Sequence, residues 1–233
     1  MNKKVSIIMS IYNAEKTLKK SLESIVNQTY ENFEILIADD GSTDNTLNIC
    51  EEFLSKYENI KLVVNKKNIG LTKTLNLLIE ESKGDYIARQ DADDISYNYR
   101  ITKQLDFLLE NNLDVVLSRA KIMNQKRMIP GISYYLPKKL LIKLKNPYIH
   151  GTLFIKTNVM KKLGGYDEKF YYAQDYKLMT DLHNAQNKIK MMKEPLYELN
   201  MENNISNLKL DSQKYFANCV RKGIVPEFNL NDI

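Results

Sequence analysis

Between Gly84 and Asp94 the chain reads GDYIARQDADD, which puts three carboxylates, Asp91, Asp93 and Asp94, within four positions. They follow Tyr86-Ile87-Ala88, an apolar run the length of a short buried strand. Alternate side chains of an extended chain point the same way. Asp91 and Asp93 are therefore expected to converge, while Asp94 turns toward the neighbouring loop. Carboxylates that close repel one another and raise each other's pKa unless a cation lies between them. Oxygen-only ligands suit a hard divalent ion, Mg²⁺ or Mn²⁺, and such ions commonly bridge to substrate phosphates. A solvated acidic turn capping the next helix is the competing reading, so the elements around the motif must decide.

Those elements alternate. Val5–Ile11 is a nearly continuous apolar run, as expected of a central parallel strand covered on both faces. A helix should follow, with Asn13 as N-cap and Leu18, Leu22, Ile25 and Val26 at helical spacing. Glu34–Ala38 reads as a second strand, then a helix capped by Ser42 or Thr43, then a third strand over Ile60–Val64. Asn68-Ile69-Gly70 turns into a helix that carries Leu71, Leu75, Leu78 and Ile79, and Gly84 breaks it. This order predicts an α/β fold with an open, mostly parallel sheet flanked by helices. Ligands bind such sheets beyond the carboxyl ends of the strands. Tyr12, Asp39 and Asp40, and Asp91 to Asp94 all fall just past strand ends, so the fold should gather them in one crevice.

The rest is less regular. A helix is expected around Ile101–Leu109 and a strand at Val115–Leu117, then a strand and loop over residues 119–136. Pro137 should open a basic helix bearing Lys138, Lys139, Lys143 and Lys145. Gly151–Ile155 reads as a strand, Asn158–Leu163 as a short helix, and Tyr171 to Asp175 as the lead into a helix ending near Asn184. Ile189–Met192 and Leu196–Met201 are weaker strands, and a last helix is expected over Leu210–Arg221. The organisation expected is one domain over residues 1–204, with halves at 1–118 and 119–204, followed by a helical extension over 205–233.

Length and composition bound the function. The 233 residues are 43% hydrophobic, enough for a sizeable core. The net charge of +5 is too mild to argue for nucleic acid but suits a nucleotide diphosphate or an anionic membrane. Cys50 and Cys219 lack metal-ligand spacing and read as reduced thiols of a cytoplasmic protein. The start of the chain shows no signal-peptide pattern, and no window is apolar enough to span a bilayer.

Several stretches together resemble family 2 glycosyltransferases. Val5 to Asn13, Ser24-Ile25-Val26-Asn27-Gln28-Thr29-Tyr30 and Ala38-Asp39-Asp40-Gly41-Ser42-Thr43-Asp44 carry the first part of the likeness. Asn68-Ile69-Gly70-Leu71, Asp91-Ala92-Asp93-Asp94, Gly164-Gly165-Tyr166-Asp167-Glu168 and Tyr172 to Leu178 continue it in the family's order, over about residues 4–185. The resemblance implies the GT-A fold, a nucleotide-sugar donor with a UDP-sugar the expectation, a divalent metal, and transfer with inversion to a growing surface glycan. A non-catalytic nucleotide-sugar-binding module, or a synthase subunit on the same fold, is the alternative.

The resemblance also implies roles. Ser10, Tyr12, Asp39 and Asp40 would meet the nucleotide base, and Lys73 would lie near the nucleotide. Asp91, with Ala92 beside it, would face the ribose, and Asp93 and Asp94 would hold Mn²⁺ or Mg²⁺; which of the two is the direct ligand stays open. Asp175 is the expected general base, since a carboxylate partly desolvated by Tyr171, Tyr172 and Tyr176 has the raised pKa a base needs. Gln174 stands where the family commonly has Glu, and His150 sits on the acceptor side; His183 reads as a helix-surface residue. The absence of tryptophan, with Leu178-Met179 where Leu-Trp is frequent, implies a differently shaped acceptor pocket. Lys138, Lys139, Lys143, Lys145, Lys161 and Lys162 could face anionic lipid carrying a lipid-linked acceptor, in peripheral contact with the inner membrane.

Overall fold

A computed structural model describes residues 3–201 and 209–227. The first half follows the alternation expected from the apolar runs. It consists of β1 (Val5–Ile11), α1 (Leu18–Val26), β2 (Phe33–Asp39), α2 (Thr46–Leu54), β3 (Ile60–Val64), α3 (Leu71–Glu81) and β4 (Tyr86–Arg89). In β1 every residue except Ser10 is buried, because helices cover both faces of the sheet. Its side chains alternate between two cores. Ile8 packs with Leu75 and Leu78 of α3, while Ile7 and Met9 pack with Leu18 and Leu22 of α1. β2 and β4 flank β1 in parallel, and β3 adds outside β2.

The second half comprises β5 (Ile95–Ser96), α4 (Arg100–Glu110), β6 (Val115–Ile122), β7 (Met128–Ile129), α5 (Lys138–Leu141), β8 (Phe154–Lys156), α6 (Thr157–Leu163), α7 (Gln174–Asn184), β9 (Ile189–Leu199) and α8 (Leu210–Lys222). One sheet unites the halves in the order β3-β2-β1-β4-β8-β6-β9-β5, with β7 paired to β6. β8 runs antiparallel to both β4 and β6, so it is the seam between a parallel block and a mixed one. α8 is built into the same core. Phe216 is fully buried, with its ring against those of Phe170 and Tyr172. The boundary expected at residue 204 lies outside the described residues.

Several local expectations are corrected. Asn13 does not cap α1, which starts only at Leu18; Asn13 has φ +46° and its Oδ1 accepts from the Thr43 amide at 2.9 Å. It latches the turn after β1 to the turn after β2. Neither Ser42 nor Thr43 caps α2. Asp44 Oδ1 accepts from the Thr46 amide at 3.0 Å instead, a short-range bond that delays the helix by one turn. The expected strand over residues 151–155 begins as a 3₁₀ turn at His150–Thr152, because Thr152 Oγ1 bonds back to the Ile149 carbonyl at 2.8 Å. The basic helix after Pro137 is a single turn. The two weak strands at 189–192 and 196–201 are one strand, β9, which pairs with β6 through register shifts. His183 is half-buried, and its Nε2 is 2.8 Å from Tyr148 Oη.

Candidate functional site

The parallel ladder sets the site. Ile11 at the end of β1 lies opposite Asp39 at the end of β2, and Ile8 opposite Arg89 at the end of β4. The next amides continue this pairing: Asp40 donates to the Ile11 carbonyl at 2.8 Å and Gln90 to that of Ile8 at 3.0 Å. Tyr12, Asp39, Asp40 and Asp91 thus leave the sheet at one edge. Half-exposed Tyr12 opens onto it, and Ser10 is the one partly open position of β1.

The two aspartates after β2 differ in what holds them. Asp40 is buried, and its Oδ1 accepts from the Ile69 amide (2.9 Å) and from Asn65 Nδ2 (3.0 Å). Its Oδ2 accepts from the Gly70 amide at 2.9 Å. That clamp fixes the Asn68-Ile69-Gly70 turn, where Gly70 has φ +93° and a Cβ would lie 2.7 Å from the Tyr171 ring. Only glycine fits there. Asp39 Oδ2 accepts from the Ser42 amide at 3.0 Å, while its buried Oδ1 has no hydrogen-bond partner among the described residues. Lys73 lies apart from this group. It is exposed on α3 and lines a cavity of about 410 Å³ with Asn76, Gly165 and Glu168.

The three carboxylates after β4 are separated by their surroundings. Asp91 forms an ion pair with the buried guanidinium of Arg89, and its amide donates to Tyr197 Oη at 3.0 Å. Asp94 turns inward, where it is buried and its Oδ1 accepts from the Asn200 amide at 2.7 Å. Burial, and then the charges of Asp91 and Asp93, push its pKa well up. Asp93 remains half-open beside Ala92. Burial and then the charge of Asp91 push it up to about 6. It lines a cavity of about 400 Å³ together with Lys16 and Lys20.

A divalent ion fits this donor set in one manner only. Among the described residues no cation pairs with Asp93, and no group of three His, Cys, Asp or Glu side chains closes around a point that could hold an ion. The set suits the mode in which one or two carboxylates hold Mg²⁺ or Mn²⁺ and phosphate oxygens and water complete the shell. Of the two sequence candidates, Asp93 is the open one.

From the other side of the crevice the mixed block supplies His150 and Asp175. Gly151 brings the backbone so close that a Cβ would lie 2.8 Å from Asp91 Oδ2 and 2.6 Å from Tyr197 Oη. His150 Nε2 is 2.6 Å from Tyr166 Oη, and burial, then the Arg89 charge, holds the imidazole well below its usual range and therefore neutral. Asp175 stands in the first turn of α7, after Ala173 at φ +53°, and its Oδ2 accepts from Asn146 Nδ2 at 2.8 Å. Burial raises its pKa; the Asn146 bond and the Arg89 charge oppose the rise. Gln174 is half-buried beside it. Arg89 therefore pairs with Asp91 while its charge is felt at His150 and Asp175, and among the described residues its buried Nε has no hydrogen-bond partner.

Sequence reasoning missed Arg89, Asn146, Tyr166 and Tyr197. Arg89 stood inside the motif, and an arginine ending an otherwise apolar buried strand was a usable signal. The other three act through contacts distant in sequence, which no local pattern announces.

A Rossmann-like parallel block joined through an antiparallel strand to a mixed block defines the GT-A fold, and the sequence profile of Glycosyl transferase family 2 matches residues 6–163. The chain belongs to that family. It is 38% identical over 170 residues to the glycosyltransferase-family protein EpsE of Bacillus subtilis, covering 70% of this chain and 60% of EpsE. It is 31% identical over 180 residues to WfgD of Escherichia coli, a UDP-Glc:alpha-D-GlcNAc-diphosphoundecaprenol beta-1,3-glucosyltransferase, covering 76% and 69%. The structure of residues 1–349 of S. aureus TarS in complex with UDP-GlcNAc superposes with a TM-score of 0.75 at 25% identity, covering 86% of this chain and 59% of that one.

Proposed function

We propose that the chain is an inverting glycosyltransferase that moves a sugar from a nucleotide diphosphate sugar, a UDP-sugar, to a hydroxyl of a growing bacterial surface glycan. The observation that carries this reading is the meeting of two sets of groups around Arg89: Asp91 with Asp93 from the parallel block, and His150 with Asp175 from the mixed one. The UDP-GlcNAc held by TarS and the UDP-Glc named as the WfgD donor support the choice of nucleotide. The diphosphoundecaprenol acceptor named for WfgD supports a lipid-linked glycan. The setting proposed is cytoplasmic, at the inner face of the membrane.

In this reading the acceptor hydroxyl oxygen attacks the anomeric carbon while the bond from that carbon to the diphosphate oxygen breaks, which inverts the centre. Asp175 takes the hydroxyl proton, and burial that raises its pKa makes it a competent base. The Asn146 hydrogen bond and the charge of Arg89 oppose that rise. Neutral His150 accepts or donates a hydrogen bond at the acceptor without adding charge. Asp91 faces the ribose, while Tyr12, Asp39 and Asp40 shape the base site. Asp93 would hold Mn²⁺ or Mg²⁺, which supplies positive charge against the leaving diphosphate. Lys16 and Lys20 add to that field.

A ligand that binds only the native state raises the melting temperature by mass action. UDP is expected to raise it with Mn²⁺ present and to lose the effect in EDTA or in Asp93→Ala. A shift that persists unchanged in both would remove the metal from the proposal; no shift with any nucleotide would remove the donor site.

A further inference from the structure

The basic charge of the chain is concentrated in one stretch. Residues 115–166 contain eleven lysines and arginines and no acidic residue, although the whole chain carries only +5, so the remainder is net negative. In the middle of this stretch Ile132, Tyr135, Leu140 and Leu144 are 87, 68, 62 and 66% exposed, with Leu136 at 48% between them. Single exposed apolar residues are ordinary, whereas a contiguous group marks an interaction surface.

These side chains are held outward by a firmly attached backbone. Tyr134 points in, its hydroxyl donating to the Met191 carbonyl at 3.3 Å while Arg119 and Lys138 lie over its ring. Ile142 is buried, and its carbonyl accepts from Tyr176 Oη at 2.6 Å. Arg221 of α8 donates to the Leu144 carbonyl at 3.2 Å. Alternating inward anchors leave the remaining apolar residues facing solvent.

The lysines divide in the same way. Lys138 is spent inside, donating to the carbonyls of Ser133 and Leu136, and Lys161 reaches the carbonyls of Glu80 and Ser82. Lys126, Arg127, Lys139, Lys143 and Lys145 are exposed among or beside the apolar group.

We propose that residues 126–145 dock on the anionic face of a lipid bilayer, with Ile132, Tyr135, Leu140 and Leu144 entering the headgroup–acyl boundary and the exposed basic residues facing lipid phosphates. The inference deepens the membrane reading above, on which it rests, by assigning the segment and its mode of entry. Apolar residues flanked by basic ones are the pattern of surfaces that lie in a membrane interface. Protruding aliphatic tips have no use against a nucleic-acid backbone, and an apolar protein partner has no use for the charge. The segment also runs straight into the site. Asn146, the residue after Lys145, donates to Asp175, so a lipid-borne acceptor hydroxyl would reach the proposed base from the docked side.

The chain has no tryptophan, so Ile132→Trp puts a single indole on the patch. With vesicles of phosphatidylcholine and phosphatidylglycerol its emission should shift to the blue and be quenched by brominated acyl chains, and pure phosphatidylcholine should give a weaker response. The double variant Leu140→Ser, Leu144→Ser should lower co-sedimentation with anionic vesicles about tenfold or more. Each of Lys139→Gln and Lys143→Gln should lower it about fivefold. All these residues are exposed, and an unchanged melting temperature checks that the fold is intact. Absence of a blue shift with anionic vesicles, or binding that the serine variant leaves unchanged, would overturn the proposal. So would a lipid-free dimer in sedimentation that the serine variant dissolves, or tight heparin binding indifferent to the serines. A lost vesicle response with an intact UDP melting shift sinks the docking surface alone; the opposite result sinks the transferase reading alone.

Discussion

The parallel block and the mixed block deliver functional groups by different physical means. In β3-β2-β1-β4 the strands run the same way, so their ends share an edge and the residues that follow them converge without further instruction. In the mixed block the groups come from a 3₁₀ turn and from the first turn of a helix, and side chains orient them: Tyr166 for His150 and Asn146 for Asp175. The first half thus takes its convergence from the ladder itself. The second depends on individual hydrogen bonds.

Three measurements would break or sharpen that contrast. Asp175→Asn should lower kcat by about 10²- to 10⁴-fold, the usual contribution of a positioned base. It should leave the UDP-induced melting shift intact. An equal loss in both would mean that Asp175 belongs to the donor side and that the division is wrong. Phe216→Ala should cost about 3–5 kcal/mol of stability in denaturant titration, as for a large side chain removed from a packed core. A cost near zero would show α8 to be dispensable to the acceptor-side core.

The smallest effect concerns pH. Asp93 and Asp94 have folded pKa values above the ordinary carboxylate value, so the folded state binds their protons more tightly than the unfolded chain. Their contribution is present at low pH and lost as pH rises, from about 4 through about 6 for Asp93 and onward for Asp94. The metal-free melting temperature should therefore fall over that interval. Asp94→Asn keeps the acceptor oxygen for Asn200 and removes the charge, so it should flatten the fall while nucleotide binding through Asp93 persists. A variant that loses the Mn²⁺ response would make Asp94 the ligand.

The same contrast explains what could be read from sequence. The β1 run, the Gly84 break and the carboxylates after β4 are local patterns, and the structure places them much as the sequence implies. Helix starts were missed where Asn13 and Asp44 bond to nearby backbone instead of opening a helix at once. Gly151–Ile155 has the composition of a strand, but Thr152 curls its start into a turn. The burial of Asp94 and the electrostatic reach of Arg89 depend on Asn200, Tyr197 and Tyr166, each many residues away. The sequence profile matches residues 6–163, whereas Asp175 and α8 lie beyond it.

Gly70 and Gly151 have a shared consequence. Each is the contact point between the two blocks, against the Tyr171 ring and against Asp91, and at each a single added carbon would collide. A displacement of the Asp40-held turn presses on the Tyr171 ring, and a displacement of Asp91 presses on the Gly151 backbone. Such coupling is reciprocal: if a nucleotide in one half changes acceptor affinity in the other through these contacts, an acceptor changes nucleotide affinity by the same factor.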